Sequence, residues 1–452
     1  MTAQQLFVKT ALVCALVSAA VATWAQAPVM DLKQVYQAAL EQDATIRASR
    51  ATADSGRERL PQARAGLLPQ ISASAGRNNN NLDTTAPNIL GTPVTTNEKY
   101  LSDNKTLQLR QPLVNMQRWL QFQQAKSVVE EVEANLDRDL QNLVVRVAGV
   151  YFEALMADEQ LDLVLAQKKT YTALVDAAKK GLAAGSGTRT DIDDAQSRLD
   201  MAAAQELEAR QNQDLARRQL QLLVNQPVNH IAKLNVAALQ LSAPMPASLD
   251  DWTRKAEQAS PEIRAMQARL DAARREVSKA QAGHLPTVDA VAQWSNSGSE
   301  NITRVNSRFE NKTIGLQLNI PLYSGGYVNS TIRQAVAEQT RAEESLEALR
   351  RDLGVRVHKE YRGVSEGVLR VRALEQAARS AEQMMKSTQM SLTAGSRTQL
   401  DVLNAQQQFT LALRDLAQAR LVYLLSKVRL ASLVGDDAMV SVEQVNGSLR
   451  VR

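Results

Sequence analysis

The chain reads LAAGSGTRTD at residues 182–191 and LTAGSRTQLD at residues 392–401, which is 210 positions later. Both stretches keep Ala-Gly-Ser, one Thr and the final Asp in register. A glycine after an apolar helical segment, followed by Thr and then Asp, is typical of a turn between two helices. Because the same turn occurs twice, we expect two copies of one large element.

Two further pairs of motifs support this duplication. ARAGLLP at 63–69 returns as AQAGHLP at 280–286, and the Leu-Gln-Leu of 107–109 returns at 316–318. The offset changes from 217 to 209 between these motifs, which predicts a longer loop in copy one. We therefore divide the chain into repeat one, residues 28–247, and repeat two, residues 248–452.

The first 27 residues have the pattern of a secretory signal peptide. Lys9 is their only charge, residues 11–22 are apolar, and cleavage is expected after Ala25 or Ala27. The only cysteine, Cys14, lies inside this segment, so we expect a mature chain with neither a disulfide nor a lipid anchor.

Composition excludes several functions. With 53 basic and 48 acidic residues and no basic run, the chain is not expected to bind nucleic acid. The three histidines lack ligand spacing, and phosphate-loop and catalytic motifs are missing from the sequence, so we expect no metal, no cofactor and no enzyme.

Aromatic residues make up only 4% of the chain, which favours thin helical packing. No run of 18 apolar residues follows the signal, so membrane crossing would require strands.

Periodicity in repeat one predicts a helix at 31–66, then a strand hairpin at 68–113 that contains a polar loop at 78–104. A long helix at 117–183 carries apolar residues at alternating spacings of three and four, as in a coiled coil. A return helix at 191–224 and an equatorial segment at 226–247 complete the repeat.

Repeat two predicts the same series. Its elements are a helix at 249–283, a strand hairpin at 285–322 with a polar loop at 295–312, a long helix at 327–393, a return helix at 400–434, and an equatorial tail. Each long helix would measure about 100 Å.

Four strands cannot close a barrel, and an open sheet edge cannot face lipid. Two chains would supply eight strands and three would supply twelve, of which only the larger barrel leaves an open lumen. The trimer is favoured if the strands and long helices share one axis. Within the hairpin at 285–322 we expect Leu316, Leu318 and Ile320 to face lipid, and Gln317 and Asn319 to face the lumen.

These turns and paired strands resemble the TolC family of outer-membrane channel proteins over the whole mature chain. The resemblance implies a membrane protein of mixed helix and strand structure in the Gram-negative outer membrane. A trimer would build one 12-stranded transmembrane β-barrel and a long α-helical coiled-coil tunnel across the periplasm. Outer-membrane lipid, a periplasmic adaptor (membrane fusion) protein and an inner-membrane pump or ABC transporter are the implied partners. Drug efflux and type I protein secretion both remain open.

The resemblance also implies a periplasmic gate. By position, Arg397 is expected to pair with Asp191, and Asp401 is expected to line the constriction. The family often has a second Asp one helical turn later, where this chain has Asn404, and the corresponding acid in repeat one is Asp194. The alternative for Asp191 and Asp401 is that they only cap helices.

The two turns are also the expected docking tips for the adaptor, through Gly185 and Ser186 in repeat one and Gly395 and Ser396 in repeat two. The alternative is that these glycines only make the turn. For the whole chain, the alternative function is a soluble periplasmic coiled-coil scaffold or adaptor. That alternative leaves the apolar residues of 314–322 exposed without a purpose.

Overall fold

The computed structural model describes residues 29–300 and 307–450. The predicted signal peptide, with Cys14, lies outside the described residues. Contacts within the chain define two compact units. The strand unit comprises Arg50–Asp137 and Pro261–Arg351, and the tip unit comprises the described residues up to Ser49, Arg138–Ser260 and those from Asp352 onward.

Helices dominate both repeats. They lie at Leu32–Gln42 (α1), Ala44–Arg57 (α2), Arg59–Ala65 (α3), Met116–Ala183 (α4), Arg189–Val224 (α5), Leu249–Ala259 (α6), Pro261–Gln281 (α7), Tyr327–Thr393 (α8), Gln399–Leu433 (α9) and Ala438–Asn446 (α10). The long helices α4 and α8 have 68 and 67 residues, and their bounds agree with the predicted ones to within one residue.

The first helix of each repeat is interrupted, whereas we expected it to be continuous. Asp43 ends α1 with an extended backbone, and its carboxylate accepts a hydrogen bond from the Ile46 backbone N–H at 3.0 Å, which caps α2. In repeat two Ser260 is extended because Pro261 follows it, and Pro261 then occupies the first position of α7.

The strand unit contains an antiparallel sheet of four strands, Gln70–Pro87 (β1), Pro93–Val114 (β2), Thr287–Ser299 (β4) and Ser307–Asn319 (β5). Their order in the sheet is β1-β2-β4-β5. The short strand β3, Lys233–Leu234, belongs to the tip unit. Among the described residues, β1 and β5 are each paired on one side only, so the sheet has two open edges.

The predicted polar loop at 78–104 is wrong, because β1 and β2 continue through most of it and only residues 88–92 connect them. Polar side chains hold the two strands together there. Thr85 and Thr95 hydroxyls lie 2.7 Å apart, and the Asn97 amide donates to Asn81 at 2.9 Å. The loop at 295–312 is also shorter than predicted. Conversely, β5 ends at Asn319, so Ile320 lies just beyond the strand.

Strand register gives the sheet one apolar and one polar face. Residues that face each other in adjacent strands project to the same side of a sheet. One row on the apolar face joins Ile71, Leu109, Ala292 and Ile314. The neighbouring row on the polar face joins Ser72, Gln108, Gln293 and Thr313. Leu316 and Leu318 continue the apolar face, and Gln317 and Asn319 lie on the polar face, as the alternation predicts.

In the tip unit, α4 packs against the return helices. One buried cluster joins Tyr171, Leu174, Ala202, Val402 and Leu403, and another joins Leu161, Val164 and Ala209. Among the described residues α4 alone is long and apolar enough to span a membrane by length and composition, with 44% of its most apolar window buried. Packing against α5 and α9 accounts for part of that apolar character.

The predicted equatorial segments are only partly irregular. In the first, β3 pairs with a second short strand, Leu449–Arg450 (β6), near the end of the chain. The tail, predicted to be irregular, also forms α10, which begins at the N-cap Asp437.

Candidate functional site: the two helix-to-helix turns

The turn of repeat one joins α4 to α5. Gly185 has φ +75°, a left-handed conformation in which L side chains are strained. Its backbone N–H donates to the Leu182 carbonyl at 3.0 Å. Both the backbone N–H and the hydroxyl of Ser186 donate to the Gly181 carbonyl, at 2.9 and 3.2 Å. The end of α4 is therefore closed by the turn itself.

The turn of repeat two, between α8 and α9, repeats this geometry. Gly395 has φ +77°, and its N–H donates to the Leu392 carbonyl at 2.9 Å. Ser396 donates to the Ser391 carbonyl from its N–H and its hydroxyl, at 2.9 and 3.1 Å. A Cβ at either glycine would have open space around it, so the backbone conformation, and not crowding, requires glycine here.

Each return helix begins with a capping box. The Asp191 carboxylate accepts from the Thr188 N–H at 2.8 Å, and the Asp401 carboxylate accepts from the Thr398 N–H at 2.9 Å. Each threonine hydroxyl in turn accepts from the aspartate N–H, so helix capping by both aspartates is confirmed. The Thr398 N–H, then the Thr398 hydroxyl, and also Arg397 hold the pKa of Asp401 below its ordinary value of 3.8.

Arg397 contacts Asp401 within its own chain. The two side chains lie 3.9 Å apart, from Nη1 to Oδ1, one helical turn from each other. The expected partner, Asp191, is instead bound by Thr188 through its Oδ2 atom. Arg397 therefore lies against Asp401 in this structure, and the expected pair between Arg397 and Asp191 stays a prediction.

Asn404 is held by an arginine that the sequence analysis did not single out. Arg198 of α5 donates from Nη2 to the Asn404 Oδ1 at 2.8 Å, and from Nη1 to the Gln407 Oε1 at 3.0 Å. The repeat contains a signal for this contact, because the position equivalent to Arg198 in repeat two is Gln408, an uncharged residue. Asp194, on the same helix as Arg198, is exposed to solvent.

Comparison with known proteins identifies the class. The model of the outer membrane efflux protein family matches residues 35–226 and 252–436, which together are most of the chain. The chain belongs to this family, as its resemblance to the TolC family predicted, and family and fold are those of channels and not of enzymes. It is an exit duct of the outer membrane, so the alternative of a soluble periplasmic scaffold is set aside.

Several relatives cover nearly all of the chain. The proteases secretion protein PrtF of Dickeya chrysanthemi is 30% identical and the alkaline protease secretion protein AprF of Pseudomonas aeruginosa is 33% identical. These matches cover 90% and 92% of this chain, and 89% and 88% of the relatives. The outer membrane protein TolC of Escherichia coli is 29% identical, with 90% of this chain and 82% of that protein covered.

A solved structure confirms the predicted fold class. The outer membrane protein VceC of Vibrio cholerae has a TM-score of 0.75 to this chain at 18% identity, with 90% of this chain and 96% of VceC covered. The long paired helices and the four-stranded sheet thus form the fold of outer-membrane channels.

Proposed function

We propose that three copies of this chain assemble into one duct that exports proteins, together with a periplasmic adaptor and an inner-membrane ABC transporter. The observation that carries this proposal is the sheet of the strand unit, which has one apolar face and two open edges. A membrane sheet of this kind is complete only when its edges are paired.

The open edges require neighbouring copies. Unpaired backbone N–H and C=O groups cost several kcal/mol each in lipid, so β5 of one copy pairs with β1 of the next. Three copies supply twelve strands, which leave an open lumen, whereas two copies supply eight, whose interior side chains fill the barrel. The export of a polypeptide therefore favours the trimer.

An ion pair on the sheet supports an orientation in which the polar face lines the lumen and the apolar face meets lipid. Arg110 of β2 and Asp289 of β4 lie near the helix-proximal end of the polar face and form an ion pair at 2.5 Å. Asp289 is only 5% exposed, whereas Arg110 is 47% exposed. A charged pair belongs in a water-filled lumen, because a charge facing hydrocarbon costs several kcal/mol. The apolar face, with Leu109 and Leu316, then faces lipid.

The names of two relatives favour proteins as cargo. Two relatives at 30% and 33% identity are protease secretion proteins, and both match about nine tenths of this chain. The duct itself touches cargo loosely, so the transporter beneath it selects the cargo.

A secretion assay tests this proposal. The full chain is produced in a Gram-negative host without its own channel of this family, together with a type I transporter, its adaptor and a secreted protease. We expect protease in the medium and a complex three times the mass of one chain in detergent. Resistance to drugs without secreted protease would reassign the cargo, and a monomer or dimer in detergent would overturn the trimer.

A further inference from the structure

The apolar face of the sheet becomes charged with distance from the helices. The row of Ile71, Leu109, Ala292 and Ile314 is followed on the same face by Ala73, Leu107, Trp294 and Lys312. The next row is Ala75, Lys105, Asn296 and Glu310, and the one after it is Arg77, Asp103, Gly298 and Arg308. A single face thus passes from hydrocarbon side chains to a charged rim within about 20 Å of strand.

Trp294 marks the boundary between the two regions. Its indole N–H donates to Glu310 at 3.1 Å, and Lys312 lies 3.2 Å from the same carboxylate. An indole beside apolar residues with its N–H turned toward charged groups is the arrangement found at membrane interfaces. The charged rows therefore lie at the level of lipid headgroups.

The charged rim is concave. Arg77, Lys105 and Arg308 line an open cavity of about 660 Å³. Gly298 helps to form it, since a Cβ there would lie 2.6 Å from the Asp103 carboxylate oxygen. The acids of the cavity are Asp103 and Glu300, and Glu300 accepts a hydrogen bond from the Leu101 N–H at 3.2 Å. Three cations thus share the cavity with two acids.

We propose that this cavity binds the phosphate groups of an outer-leaflet lipid whose acyl chains cover the apolar rows. The proposal rests on the proposed function, which places this face in lipid. Arginine and lysine pair strongly with phosphate oxygens, and each basic residue near a membrane surface strengthens binding to anionic lipid. The lipid is favoured over free phosphate because Ala75, which lines the cavity, is followed on the same face by the row of Ala73 and Leu107.

Lipid binding to the purified trimer tests the proposal. The trimer is placed in phosphatidylcholine nanodiscs containing diphosphoryl lipid A, monophosphoryl lipid A or neither, and bound lipid is counted by native mass spectrometry. We expect preferential retention of the diphosphoryl lipid. Lys105→Gln should weaken it about fivefold, and the triple variant Arg77→Gln, Lys105→Gln, Arg308→Gln about a hundredfold.

Lys99→Gln is the matched control, because Lys99 lies on the same strand and the same face, six residues beyond Lys105 and outside the cavity. It should bind lipid as the parent does, and all variants should run as trimers. Equal losses in Lys99→Gln and Lys105→Gln, or equal retention of phosphorylated and neutral lipid, would overturn the site. If millimolar inorganic phosphate displaces the bound lipid, the cavity is a site for a soluble anion and not for a lipid. Secretion and the mass of the complex are read separately, so failure here leaves the proposed function standing.

Discussion

The Arg198 Nη2 atom on α5 lies 2.8 Å from the Asn404 Oδ1 atom on α9, so a cation of one return helix holds a neutral amide of the other. This contact joins the two repeats beside the turns, at the position where the resemblance to the TolC family led us to expect an acid. A guanidinium that also binds Gln407 at 3.0 Å bridges two successive helical turns of α9.

We predict that Arg198→Ala loosens the packing of α5 against α9. Each of the two lost hydrogen bonds contributes about 0.5–1.5 kcal/mol to stability, toward the low end because the groups are partly solvated. The trimer in a planar bilayer should show more frequent openings. Arg218→Ala is the control, since Arg218 pairs with Asp214 on its own helix. If Arg198→Ala and Arg218→Ala channels open equally often, the contact between Arg198 and Asn404 does not help to keep the channel closed.

Arg397 is expected to contribute to closure in the assembled channel. Replacement by serine removes a cation that lies 3.9 Å from Asp401 and that is predicted to pair with Asp191. Arg397→Ser should raise single-channel conductance. Arg189→Ser removes a cation beside the turn of repeat one, which lies 3.5 Å from Asp193, and should leave conductance near the parental value. If the conductance of Arg397→Ser is unchanged, residues other than Arg397 keep the channel closed.

Asp401 is predicted to give the channel its preference for cations. Three carboxylates around one axis attract cations and divalent blockers, so Asp401→Asn should weaken both effects while keeping an acceptor for the Thr398 N–H. Asp191→Asn is the equivalent change at the other capping box and should have a smaller effect.

The pH dependence follows from the direction of the Asp401 pKa shift. Because the folded pKa lies below 3.8, more than half of this carboxylate is still charged at that pH, and its contributions to capping and selectivity are lost as pH falls through the lowered pKa. Cation selectivity, measured from reversal potentials at falling pH, should therefore be lost with a midpoint below 3.8. A loss of selectivity with a midpoint above 3.8 would contradict this assignment.

The turns are predicted to dock the adaptor. Replacing both Ser186 and Ser396 with tryptophan should abolish export while trimers persist, because bulky side chains keep another helical end from approaching. Replacing both with alanine removes the hydroxyl bonds to Gly181 and Ser391 without adding bulk, and export should continue. Normal export by the tryptophan variant would mean that these residues only shape the turn.

Local signals made much of this architecture predictable. Gly185 and Gly395 identify their turns because a left-handed backbone strongly favours glycine, and the long helices follow from apolar spacing alone. The Asn- and Thr-rich stretch at 78–104 was misjudged because its strands are stabilised by pairing, as between Thr85 and Thr95, which composition does not encode. Arg198 was missed because its partners lie more than 200 residues away, on another helix.

The interruption at Asp43 has a similar cause. Asp43 is 5% exposed, and Arg146 lies 2.8 Å from its carboxylate, so a tertiary ion pair accompanies the local cap that ends α1. Helix periodicity continues across this residue and gives no sign of the break. Pro261, by contrast, is visible in the sequence, and a proline inside a helical pattern breaks or kinks the helix. The prediction of a continuous helix at 249–283 was wrong at this residue.

Cysteine labelling of neighbouring strand positions tests whether the apolar face of the sheet lies in lipid around a water-filled lumen. The only cysteine, Cys14, falls within the predicted signal peptide, so an introduced cysteine is read without background. In outer membranes, Gln317→Cys should react with a water-soluble maleimide, and Leu318→Cys should react only with a lipid-soluble one. Labelling of position 318 from water together with protection of position 317 would show that the polar face, and not the apolar one, lies in lipid.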